Sequence, residues 1–230
     1  MKNLISLITI SLIIFQASAQ KIIEKQINTS ANQVRVEFKF AEKIILKTWN
    51  KKEVSIKAEV KINEGELDDY FNLEINDGAS FLEIKSNYGD LFEKNKSKQS
   101  YKNCNHPDID AIYTLYIPKN YNLKVKSISG NVISEMYEGK LNVDIISGNI
   151  DIKKYNGELT LKTISGDIDV TVSQSKLLAE TLTGLIYSDK DMQFDQRKNR
   201  MAGRKVTGSF GDLKNQLHLK TISGNIFIRK

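Results

Sequence analysis

Four carboxylates, Asp144, Asp151, Asp167 and Asp169, fall within one stretch of alternating apolar and polar residues. Acids gathered on one face of a β-structure are what glycan-cleaving enzymes use: one carboxyl group protonates the leaving oxygen while a second acts as base or nucleophile. Such oxygens also suit a hard divalent cation. Against catalysis, Asp151 and Asp169 stand 18 positions apart in equivalent settings, Ile150-Asp151-Ile152 and Ile168-Asp169-Val170, so stacked strands would set them side by side as like charges with no histidine near. Solvated positions of amphipathic strands account for them. Against calcium, the nonapeptide β-roll repeat needs G-G-x-G-x-D, and this chain has one glycine per unit, with Asn or Lys where Asp is required. We therefore expect no catalytic residue, no metal site and no cofactor.

The remaining reactive side chains are sparse. Cys104 and His106 are neighbours in "KNCNHPD", too few donors for a closed zinc site. As the single cysteine, Cys104 reads as a free thiol that cannot form an internal disulfide. His218 alternates with Leu217 and Leu219 and is expected to face solvent. No nucleophile elbow, phosphate loop or dinucleotide fingerprint occurs. One cationic cluster stands out: Arg197, Lys198, Arg200, Arg204 and Lys205, an expected contact for an anionic glycan or lipid headgroup, or for an envelope protein. It has no interleaved aromatics, so nucleic acid is not the expected partner.

What would position these residues is a repeat. Ser129-Gly130, Ser147-Gly148, Ser165-Gly166 and Thr183-Gly184 follow one another at intervals of 18, and Thr207-Gly208 and Ser223-Gly224 come after intervals of 24 and 16. Gly139 and Gly157 halve the interval, so the unit is nine residues, a turn and a short strand, and two units make a coil. Leu141 and Val143, Ile150 and Ile152, Leu159 and Leu161, and Ile168 and Val170 alternate with Asn142, Asp151, Thr160 and Asp169, the period of a strand with one buried face. Glycine at each boundary suits a bend with positive φ. The expected fold is all-β, a β-solenoid with 18-residue coils. Three ladders follow: Ser129, Ser147, Ser165, Thr183, Thr207 and Ser223; Ile128, Ile146, Ile164, Leu182, Val206 and Ile222; and Asn131, Asn149, Asp167 and Asn225. Ile146 and Ile164 have the parity opposite to Val143 and Leu161. Either the chain bends before Ser-Gly and turns them inward, or they form an outward aliphatic stripe; the bend is preferred, because an exposed stripe invites association. The longer interval before Thr207 means that about six extra residues leave the coil in the segment where these five cations gather, a loop of the kind with which repeat proteins commonly bind.

Residues 20–118 are strand-rich without the grid, as in "QVRVEFKF" and "EVSIKAEVKI", and read as irregular β-structure capping the solenoid of residues 119–230; a separate β-sandwich is the alternative. Residues 1–19 read as a cleavable export signal: Lys2, an uncharged run from Leu4 to Phe15, and Ala17-Ser18-Ala19. The run is too short to span a bilayer, and no transmembrane segment is expected in the mature chain. Net charge is +6, and loss of the leader removes only Lys2. The expected destination is the periplasm or cell surface.

Pro118-Lys119 through Leu123, Val125 and Ser129-Gly130, the recurring Ser-Gly-Asn/Asp-Ile phrases and the final "LHLKTISGNIFI" resemble the adhesin domain-of-unknown-function family of exported bacterial β-proteins, related to head-domain adhesins. "IILKTWNKKEVSIKAEV" looks like the amino-terminal strands of that family. The resemblance implies a β-helix-like fold, an envelope or surface role and no catalytic residues. The functional expectation is a non-enzymatic adhesin or spacing module; the alternatives are a periplasmic accessory or stress-response protein and, third, a glycan-cleaving enzyme.

Overall fold

The computed structural model describes residues 20–96, 106–172, 174–189, 195–198, 203–210 and 215–229. The proposed leader, Cys104 and Arg200 lie outside them. Among the described residues the chain is all-β apart from two 3-10 turns and one short helix. Its first half supplies β1 (Lys21–Ile27), β2 (Gln33–Phe38), β3 (Lys43–Trp49), β4 (Val54–Ile62), β5 (Asn72–Asp77), β6 (Leu82–Asn87), α1 (Leu91–Lys96) and β7 (Ile109–Pro118). Short strands follow: β8 (Asn122–Ser129), β9 (Asn131–Ser134), β10 (Tyr137–Glu138), β11 (Lys140–Ser147), β12 (Ile150–Ile152), β13 (Tyr155–Asn156), β14 (Leu159–Ser165) and β15 (Ile168–Thr171). The last part holds β16 (Ser175–Thr181), β17 (Ile186–Ser188), β18 (Asp195–Lys198), β19 (Arg204–Phe210), β20 (Asn215–Ser223) and β21 (Ile226–Arg229).

Two open sheets carry nearly all of these. One runs β1-β4-β7-β3-β9-β12-β15-β21-β17, the other β18-β19-β16-β20-β14-β11-β8-β2-β6-β5, and β10 pairs with β13 along a narrow third side. The halves of the chain share both sheets, since β2 pairs in parallel with β8 and β3 with β9. Their inward faces form one continuous core. Alternation explains it: in β4, Val54, Ile56, Ala58, Val60 and Ile62 are fully buried and the residues between them are not. The irregular first half also covers the β8 edge, which would otherwise offer unpaired backbone groups.

Between β8, β11 and β14 the parallel register steps by 18 residues, Leu123 to Leu141 to Leu159. Strand order then departs from chain order. β20, not β16, lies beside β14, with Leu159 opposite Leu217, and β16 lies beyond β20, with Leu177 opposite Leu217. The closing strand is therefore wedged between earlier ones. A sequence reason is visible: "LTLKTISG" at 159–166 and "LHLKTISG" at 217–224 differ at one position, whereas "LLAETLTG" at 177–184 differs at several.

Each letter of the repeated phrase has a job. The residue two before the Ser or Thr faces inward: Thr163, Thr221 and Thr181 donate their buried hydroxyls to the carbonyls of Gly148, Gly166 and Gly224 at 3.1, 3.0 and 2.9 Å. Behind the glycines runs a polar ladder. Asn131 Oδ1 accepts from the Asn149 amide, Asn149 Oδ1 from Asp167, Asp167 Oδ1 from Asn225, and Asn225 Oδ1 from Leu185, at 2.9, 2.8, 2.6 and 3.0 Å. Amides that no sheet reaches at the corner thus find partners, as buried or crowded backbone donors must.

The preferred orientation of the isoleucines is overturned. Ile128, Ile146, Ile164, Ile222 and Leu182 point outward, each 40–49% exposed. The chain stays extended through Ser129, Ser147 and Ser165 and bends only at glycine, so strand parity carries these side chains to the outer face. Val206 does not belong to this row: it lies on β19, buried and opposite Ala179.

Candidate functional site

The basic segment folds back as a hairpin on the edge of the second sheet. β19 pairs antiparallel with β16, and β18 antiparallel with β19, so the backbone of Arg197 lies opposite Lys205 and that of Lys198 opposite Arg204. Basic positions of two strands become backbone register partners because an antiparallel ladder brings the start of β19 against the end of β18. Thr207 and Gly208 accordingly sit in the antiparallel strand opposite Leu178 and Leu177, away from the glycine column, which corrects their expected place in the ladder. Ser129, Ser147, Ser165 and Ser223 share one register, and Thr183 hydrogen-bonds to Ile222 beside them.

Where β19 begins, a groove of about 340 Å³ opens between Gly203, Arg204 and Lys205 on one side and Lys220 and Ile222 on the other, with Glu180 and Leu182 between. Gly203 has φ +97, and a side chain there would crowd the Thr181 carbonyl at 3.0 Å, so this wall is bare backbone. The Lys205 ammonium pairs with the Glu180 carboxylate at 2.9 Å and holds that carboxyl below its usual range. Arg204 and Lys220 are exposed. A groove with aliphatic walls and a net surplus of positive charge can take an anionic group that carries an apolar part.

His218 lies one row away, opposite Thr160 and Leu178. It is on the outer face, yet its Nε2 is buried with no hydrogen-bond partner, so it is less solvated than alternation alone implies. Burial first, and then neighbouring lysines, lower its pKa.

The carboxylates do not converge. Asp144 projects from β11 on one sheet between Lys126 and Lys162, Asp151 and Asp169 stand on the other, and Asp167 occupies the corner ladder. Asp151 and Asp169 are register partners, and Arg229 grips Asp169 through Nε at 2.7 Å. Burial and then the adjacent Asp169 charge raise the Asp151 pKa above 3.8. The folded protein then holds that proton more tightly than the unfolded chain, so stability falls as pH rises from about 4 through the folded-state value, and the cost remains at neutral pH. Asp151→Asn is expected to raise stability at pH 7 by about 0.5 kcal/mol and to flatten this part of the pH profile; urea midpoints measured across the range check it.

A second concavity went unnoticed in the sequence. It occupies about 650 Å³ on the first sheet, where Trp49 and Tyr116 rings lie 5.0 Å apart beside Ile133 and the exposed Met136. The one signal was the chain's single tryptophan. Lys51 and Lys47 already cover the two rings at 4.6 and 5.2 Å.

Among the described residues no helix is long and apolar enough to cross a membrane, and no group of three or more His, Cys, Asp or Glu is placed to hold a metal ion. No curated protein matches the sequence significantly. The crystal structure of a candidate cell adhesion protein from Clostridium sporogenes is 13% identical, aligned over 91% of this chain and 99% of its own, with a TM-score of 0.56, and shares the fold. A candidate adhesin from Parabacteroides merdae is 15% identical over 73% of this chain and 69% of its own, with a TM-score of only 0.29. Residues 119–229 match the Toastrack DUF4097 family model. That segment, a little under half of the chain, holds the glycine column, the hairpin and the groove, and it is similar to this adhesin-like family of domains of unknown function.

Proposed function

We propose that this protein is a non-enzymatic binding module of the bacterial cell envelope, exported by its leader to the periplasm or cell surface. Its regular half is a β-solenoid of 18-residue coils that presents the basic hairpin to an anionic partner, a glycan acid or a lipid headgroup. The observation that carries this reading is the groove at the hairpin, where Arg204 and Lys220 stand exposed around a rigid sheet edge. Asp144 and Asp167 stand apart from the Asp151–Asp169 pair, in which Asp169 is engaged by Arg229, and this supports a binding role over hydrolysis, which needs two available acids astride one bond. The mechanism is presentation: groups held by backbone pairing on both sides are ordered before the partner arrives, so little conformational entropy is lost on contact.

Changing Arg197, Lys198, Arg200 and Arg204 together to Ser tests it. Association with isolated envelopes is expected to fall by about tenfold or more, since each cation near an anionic surface contributes on the order of 1 kcal/mol, and the residual binding should depend less on salt. Unchanged binding with unchanged salt dependence would refute the reading. Protease digestion of the protein on intact cells is the expected result for a surface adhesin; protection until the outer envelope is permeabilised would assign the same module to the periplasm.

A further inference from the structure

The outward aliphatic row ends at the basic groove. In space it runs Ile128, Ile146, Ile164, Ile222, Leu182, because β20 lies between β14 and β16. Four inter-strand steps of about 4.8 Å make it roughly 19 Å long. At one end the Lys39 carbonyl accepts the Ile128 amide at 3.3 Å, which places the exposed Lys39 next in the row. At the other end Leu182 and Ile222 line the same groove as Arg204 and Lys220. Beside the row, two residues back along each strand, Lys126, Asp144, Lys162 and Lys220 lie in register. Glu180 continues that line but is neutralised by Lys205.

We infer that this ridge docks flat on an anionic lipid bilayer, the five aliphatic side chains entering the headgroup boundary and the surrounding cations meeting lipid phosphates. The inference rests on the reading of the hairpin as an anion contact and names its partner. Two observations select a bilayer over a second copy of the chain. Five side chains that are a little under half exposed offer on the order of 400 Å² of apolar surface, about half of what each partner contributes to a stable protein interface. The ridge is also bracketed by cations at both ends, which repel an identical ridge and attract phosphate. A row of exposed aliphatics with a cationic border is the arrangement by which amphipathic surfaces lie in a membrane interface, burying apolar area while the charges stay in the headgroup layer. Strand parity makes the row straight, and the stacked register makes it rigid, so insertion costs no ordering.

The test uses the mature chain and vesicles of phosphatidylcholine with or without phosphatidylglycerol, in a sedimentation assay. Ile146, Ile164 and Ile222 are changed together to Thr, which keeps the β-branched shape that strands favour; circular dichroism and the unfolding midpoint verify that the fold is retained. Binding to phosphatidylglycerol vesicles, little binding to phosphatidylcholine alone, and a loss of about tenfold or more in the Thr variant are the expected results. No binding of the unaltered chain to either vesicle, or equal binding to both, overturns the inference. Phosphatidylglycerol binding that survives the Thr changes but falls with the hairpin Ser changes keeps the hairpin reading and overturns the ridge. A dimer in sedimentation velocity that the Thr changes dissociate, without vesicle binding, makes the ridge a contact between copies and equally overturns it.

Discussion

Gly166→Ala is expected to destabilise the protein by about 3–5 kcal/mol, or to prevent its accumulation in folded form. Gly166 has φ +149, a region reserved for glycine, and an added Cβ would stand 2.0 Å from the Gly148 carbonyl oxygen and 2.6 Å from its carbon. The conflict is with backbone, which cannot rotate aside as a side chain can. Relief requires spreading β14 and β15 from the preceding strands, and that also breaks the Asp167 amide bond to Asn149 and the Thr221 hydroxyl bond to the Gly166 carbonyl. Gly148 and Gly224 face the same kind of contact, at 2.3 and 2.0 Å, so alanine there should act alike. Gly78→Ala is the comparison: the new Cβ meets only the Phe81 carbonyl at 3.3 Å, and a change within about 1 kcal/mol is expected. Urea unfolding of the three proteins reads the difference. A loss at Gly166 no larger than at Gly78 would show that the corner relaxes freely.

Ending the chain at residue 214 is expected to have a still larger effect. It removes Leu217, Leu219, Ile226 and Ile228, all buried, and at roughly 1.5–3 kcal/mol each their burial contributes at least about 6 kcal/mol, comparable to the whole stability of many domains. The location of the damage is the informative part. Were the strands stacked in chain order, the truncated protein would be one coil shorter and otherwise intact. With β20 between β14 and β16, truncation empties the middle of the sheet. The amides of Ser175–Thr181 should therefore lose hydrogen-exchange protection, and the 175–210 segment should become a protease target, while β2, β8 and β11 remain protected. Persistence of protection in Ser175–Thr181 would show instead that β16 settles directly on β14, with Leu177 against Leu159, and that the 18-residue grid dominates strand order.

Alternation, the glycine corners and the polar corner ladder were legible in the residues alone. A period of two needs no tertiary information: Val54 to Ile62 or Leu159 to Leu161 can bury one face in only one way. Asn131, Asn149, Asp167 and Asn225 declared their ladder by recurring at one position of the repeat, because stacked copies place identical residues side by side. Strand order was not legible in the same way. Every copy of the phrase presents the same apolar spacing and the same backbone donors and acceptors, so local pairing tolerates any sequence of neighbours, and only closer matching of "LTLKTISG" with "LHLKTISG" hinted at the wedge. The outward row of isoleucines likewise depended on where the backbone bends. Composition suggested a buried position, but the bend at glycine lies two residues beyond Ile128, Ile146 and Ile164, and the extended backbone before it leaves them on the outer face. The groove was the least legible feature, because Arg204 and Lys220 meet Leu182 and Ile222 only after a late hairpin and a wedged strand bring distant parts of the chain to one edge. What the residues determined by themselves was each strand's inward face and each corner; which strands became neighbours, and so which surface was built, was decided by long-range pairing among nearly equivalent partners.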